Sequence, residues 1–138
     1  MRVFRFMSQD EFDKYLAGEK LINTTDHRKK YVFSNSKGFC FFEYMDPDDD
    51  GVDGITPGYA YEFMTGIATM DVVAVFETDQ VLTESRGRYA DPCGSFFDTI
   101  WMDEYCTEEY SRDTFRLIKY GHIEGPDEKW IWKDKGET

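Results

Sequence analysis

Apolar and polar residues alternate from Arg2 to Met7, and this period of two predicts an opening strand. Phe4 and Phe6 fall on one face, with Val3, Arg5 and Met7 on the other, so Arg5 projects among apolar neighbours. Ser8-Gln9-Asp10-Glu11 follows as a capping box, in which the serine hydroxyl and the glutamate carboxylate satisfy free amides at a helix start. Phe12, Tyr15 and Leu16 recur at helical spacing, and Gly18 supplies the stop. Residues 23–30 read as a polar, basic loop. Tyr31 to Tyr44 holds a second strand region, whose run Gly38-Phe39-Cys40-Phe41-Phe42 suits burial on both faces. An acidic turn region over 46–54 follows. Thr56-Pro57 then predicts a second helix running to about Gly66, with Tyr59, Phe63 and Ile67 along one side.

Asp71 to Thr78 is the clearest core strand, because it is rich in β-branched residues. Val81 to Tyr89 is expected to pair beside it through a short turn at Thr78-Asp79-Gln80. Thr99 to Cys106 reads as an aromatic strand. Ser111 caps a single helical turn before another strand from Phe115 to Ile123, and Trp130-Ile131-Trp132 forms an edge strand or packs its rings on the domain. Early helices followed mostly by strands give an α+β layer, with neither an internal repeat nor a linker.

At 138 residues the chain suits one domain spanning 1–138. With 41% hydrophobic and 17% aromatic residues it has the material for a packed core and lacks the signature of disorder. Its apolar runs, such as Val72 to Phe76, are only strand-sized, and a bilayer span needs about 20 residues. No secretory signal pattern opens the sequence, so a cytoplasmic location is the expectation. Cys40, Cys93 and Cys106 are odd in number and widely spaced, which argues against a disulfide framework. With no C-x-x-C and only His27 and His122 as imidazoles, no closed zinc site is expected. The net charge of −12 repels phosphate backbones and suits a solubilising surface or a basic protein partner.

Several stretches hold chemistry-bearing residues. Asp46-Pro47-Asp48-Asp49-Asp50-Gly51 begins like a calcium-binding EF-hand loop, but Pro57 stands where the bidentate glutamate belongs, so a solvated acidic turn is the simpler reading. Arg86-Gly87-Arg88 suits an anion site, although a tight connection between strands explains Gly87 as well. Cys93 beside Gly94 has no histidine near it in sequence to activate it. A scattered set, Arg5, Ser34-Asn35-Ser36 and Glu104, carries more.

Phe4-Arg5-Phe6-Met7-Ser8, the helix ending at Gly18-Glu19, and Ser36-Lys37-Gly38-Phe39-Cys40-Phe41-Phe42 resemble the first strand, first helix and second strand of the ADP-ribosyltransferase superfamily. The resemblance implies a split β-sheet with two or three short helices and a cleft between two small sheets. It implies NAD as substrate, with Arg5 on a phosphate, Ser34 and Ser36 shaping the nicotinamide pocket, and Glu104 at the nicotinamide ribose. Arginine grips phosphate oxygens with a planar fork, and a carboxylate stabilises the oxocarbenium-like charge that develops as nicotinamide leaves. ADP-ribose then passes to an acceptor the sequence does not identify. Asn35 stands where that family usually has threonine, and the Glu-x-Glu pair of its arginine-modifying branch is absent, since Glu108 and Glu109 are adjacent. The alternatives are an inactive member of the fold that still binds a nucleotide, and a non-enzymatic acidic interaction or inhibitor protein of a phage or mobile element.

Overall fold

The computed structural model describes residues 1–25, 37–45, 56–57, 60–61, 69–90, 99–123 and 130–134. The chain orders as β1 (Arg2–Met7), α1 (Gln9–Leu16), β2 (Leu21–Ile22), β3 (Phe39–Glu43), β4 (Val72–Thr78), β5 (Thr83–Ala90), β6 (Thr99–Thr107), β7 (Glu109–Tyr110), β8 (Phe115–Ile123) and β9 (Trp130–Asp134). It is an α+β fold, mostly antiparallel sheet. One seven-stranded sheet runs β5-β6-β3-β1-β4-β8-β9, and β2 with β7 forms a separate ribbon. No helix among the described residues is long and apolar enough to cross a membrane.

The local signals explain the opening elements. Ser8 has extended backbone and its hydroxyl accepts from the Glu11 amide at 3.1 Å, as an N-cap should. The other half of the expected box is absent, because the Glu11 carboxylate turns instead to Arg5 and Tyr110. Gly18 follows the helix at φ +82°, the left-handed conformation a helix stop requires. At Ser111 the hydroxyl accepts from the Asp113 amide and the carbonyl from Thr114 and Phe115, which makes the expected single turn before β8. The Ala60 amide bonds the Thr56 carbonyl at 3.1 Å, a first helical turn. Pro57, Ala60 and Tyr61 are helical; the other positions of the second expected helix, residues 31–36 of the second strand region and the acidic turn lie outside the described residues, so α1 is the one helix described along its whole length.

Two expectations need correction. β5 does not pair with β4; it pairs with β6 from Thr83↔Cys106 to Ala90↔Thr99. Both edges of β4 are taken, by β1 and β8, and its residues Val72 to Phe76 are buried. Thr83 and Glu84 are exposed and belong at an edge. Gly87 is accordingly no connection: it sits mid-strand opposite Met102.

The sheet buries both faces where α1 covers one of them. On that side Val3, Met7, Phe12, Tyr15, Phe41 and Phe76 are core, and on the other Phe4, Phe6, Phe42, Val73, Val75 and Met102. Between β1 and β3 the ladder holds only Val3↔Glu43 and Phe4↔Phe42. Beyond it Arg5 to Met7 pair with β4 alone and Phe39 to Phe41 with β6, so the sheet is split at this point.

Candidate functional site

Arg5 sits at the split. Its Nε donates to Glu11 Oε2 at 2.8 Å and its Nη2 to Glu11 Oε1 at 2.9 Å, a two-pronged ion pair between β1 and α1. Its Nη1 donates to the Cys40 carbonyl at 3.2 Å. The guanidinium also lies 5.1 Å from the Phe39 ring centre and 5.9 Å from that of Phe41. Tyr110 closes the group by donating its hydroxyl to Glu11 Oε2 at 2.7 Å. Burial pushes the Glu11 carboxyl up, but the hydrogen bond and charge of Arg5 outweigh it and hold the group below the usual carboxylate range. Burial also opposes the charge on Arg5, and Glu11 more than restores it. Burial, then the Glu11 charge, pushes the Tyr110 phenol well above its ordinary value.

Glu104 is only 4% exposed and lies on the opposite face of the sheet. Along β6 the pleat sets Met102, Glu104 and Cys106 on one side, and Met102 packs with Phe4, Phe6 and Phe42. Cys40 stands directly across from Cys106, with the two sulfurs 3.4 Å apart. The ligand atoms of Cys40, Glu104 and Cys106 all lie within 4.8 Å of one another. The hydrogen bond with Cys106, then burial, pushes the Cys40 thiol far up. Arg5 and Glu104 therefore meet the same residue from two sides, one at its carbonyl and one near its thiol, and do not share a face. Ser34 and Ser36 lie outside the described residues, as do Cys93 and the EF-hand-like run.

A third group gathers on β3, β5 and β6. Tyr105 is opposite Phe41 and Glu84, and its hydroxyl bonds Glu43 Oε2 at 3.3 Å. Burial, then Glu43, Glu84 and Asp103, pushes this phenol up to about 12. Glu84 and Asp103 are exposed and Glu43 is half-buried. Two surface pockets flank the sheet: one of about 330 Å³ reaches Lys37, Thr83, Cys106 and Glu109, and another of about 360 Å³ reaches Gln9, Phe12, Tyr120 and His122. Neither is lined by Arg5 or Glu104.

Sequence reasoning singled out Arg5 and Glu104 and expected them in one cleft, whereas the sheet sets them on opposite faces; it missed Glu11 as the arginine's partner, the cysteine pair and the carboxylates around Tyr105. Glu11 was legible only as a cap residue. The others come together across strands, and no sequence signal reports register between strands so far apart. No family model, curated protein or solved structure matches this chain, so the ADP-ribosyltransferase resemblance rests on its short motifs.

Proposed function

We propose that this protein acts by binding, and that the carboxylate face of β3, β6 and β5 receives a lysine- and arginine-rich segment of a partner protein. The observation that carries this reading is that Glu43 accepts a hydrogen bond from Tyr105, Glu84 stands opposite Tyr105, and Asp103 lies two residues along the same face of β6, itself opposite Arg86 in the ladder. Carboxylates crowded on one face raise a negative potential that attracts a cation, and an aromatic ring among them offers a surface on which a guanidinium stacks. The chain's net charge of −12 extends that potential and speeds encounter with a basic partner.

Titration with a lysine- and arginine-rich decapeptide tests the reading. Affinity is expected to fall at least tenfold in the Glu43→Gln, Glu84→Gln, Asp103→Asn variant, and to fall steeply with added salt. Binding that ignores both the substitutions and the salt overturns it.

NAD-dependent transfer is the second reading, favoured by the place of Arg5 at the split and by the sequence resemblance. Two features weigh against it. Arg5 has to leave a half-buried ion pair with Glu11 to hold a pyrophosphate, and the net charge repels that anion. Nicotinamide release from NAD, abolished by Glu104→Gln with NAD binding kept, is the result that reverses the ranking.

A further inference from the structure

The geometry points to a soft divalent-cation site, of the kind zinc occupies, made by Cys40, Cys106 and Glu104. It is independent of the acidic face proposed above. Three separate features lead to it. The first is donor chemistry: two sulfurs and one carboxylate oxygen within 4.8 Å of one another are a set that zinc-like ions prefer, whereas calcium and magnesium take oxygen alone.

The second is spacing. Zinc bonds sulfur at about 2.3 Å, so two thiolates on a tetrahedral ion sit roughly 3.8 Å apart. Here they are 3.4 Å apart, and a few tenths of an ångström of rotamer adjustment brings them to that separation. The third is rigidity. Cys40 and Cys106 are cross-strand partners, and Glu104 is two residues from Cys106 on the same face of the same strand. All three donors thus stand on paired strands rather than on loops, and folding alone assembles them. Ser85, also buried, faces Glu104 across the β5–β6 ladder.

Access exists as well. Cys106, one of the three donors, lines the pocket of about 330 Å³ that opens beside Thr83 and Thr107, and on this proposal an ion enters from there with water in its fourth position. On binding, the ion keeps one water, sheds the rest of its hydration shell, and forms two bonds to sulfur and one to oxygen. The two thiol protons leave to solvent, and Glu104 binds as the carboxylate. Sequence spacing alone predicted no zinc site, because Cys40 and Cys106 belong to no local motif; the β3–β6 register is what joins them.

The test uses the full chain under reducing conditions, titrated with Co²⁺ and then displaced by Zn²⁺. A thiolate-to-cobalt charge-transfer band saturating at one ion per chain is expected, unchanged in Cys93→Ser. Cys40→Ser and Cys106→Ser should each weaken binding at least roughly 100-fold, and Glu104→Gln roughly 10- to 100-fold. Because these variants alter core positions, alkylation of the wild-type protein is the second readout: Zn²⁺ should protect Cys40 and Cys106 from iodoacetamide and leave Cys93 as reactive as before. Absence of the band in reduced wild-type protein, its persistence without Cys40 or Cys106, or equal protection of all three cysteines overturns the site. Ready oxidation of the pair to a disulfide with no cobalt band under reduction overturns it too. Decapeptide binding that fails while the cobalt band forms sinks only the acidic face, and the reverse pattern sinks only the metal site.

Discussion

Arg5 illustrates how far a single side chain depends on its partner. A guanidinium placed among phenylalanines is tolerable because Glu11 neutralises it and the Cys40 carbonyl takes a third donor. Removing one partner strands the other, so Arg5→Met or Glu11→Gln is expected to cost about 3 kcal/mol in urea unfolding, while the apolar double variant Arg5→Met, Glu11→Leu recovers most of the loss. A thermodynamic cycle with additive singles would contradict the pairing. The same carboxylate contributes to the acid limb. Its pKa is lowered on folding, so its stabilisation is complete above the ordinary carboxylate value near 4.3 and is lost as pH falls below it. Glu11→Gln should flatten that slope. Tyr15 works in the opposite sense: burial pushes its phenol up to about 12, and its hydroxyl donates to the Phe115 carbonyl. The stability it contributes is whole below about pH 10 and drains as pH climbs toward 12. Tyr15→Phe is expected to remove that part of the alkaline decline in a pH series of chemical unfolding. Sequence alternation already set Arg5 on a face with apolar neighbours, but nothing local said that Glu11, a cap residue, would be the counter-charge.

At the scale of elements, two glycines with similar backbones have different reasons to be there. Gly18 ends α1 at φ +82°, and a Cβ there would meet nothing within 4 Å. Gly38 leads into β3 at φ +75°, and a Cβ there would come within 2.5 Å of the carbonyl oxygens of both Asn23 and Thr107. Gly18→Ala is therefore expected to cost about 1 kcal/mol, the ordinary left-handed penalty. Gly38→Ala adds a clash with two backbone segments and should cost at least about 3 kcal/mol, read as a drop in the urea midpoint. Equal losses would mean that close packing around Gly38 is not what requires glycine. The helix stop was legible because it is a local event. The need at Gly38 was not, since it arises where the chain near Asn23 and the end of β6 converge on the start of β3.

For the molecule as a whole, the charge of −12 means self-repulsion in the folded state. Its ion pairs on the surface, such as Lys14 with Asp10 and Lys20 with Glu109, are exposed and contribute little that salt can remove. Raising sodium chloride from low to physiological strength is thus expected to lift Tm by about 3 °C or more; a fall would mean that attractive surface pairs dominate. The sequence by itself determined β1, β4, β5, β6 and β8, the region of β3, the first helix, the turn at Ser111 and the α+β class; it left β9 open and gave no sign of the two-residue strands β2 and β7. Those follow from periodicity, caps and turn residues, which act over a few neighbouring positions. Only the tertiary structure decided that β5 joins β6 rather than β4, that the sheet splits after Phe4, and that Arg5 and Glu104 end on opposite faces. It alone brought Cys40 to Cys106 across 66 positions. Such meetings depend on strand order and register, which emerge when two faces of a sheet are buried together and leave no trace in the spacing of residues along the chain.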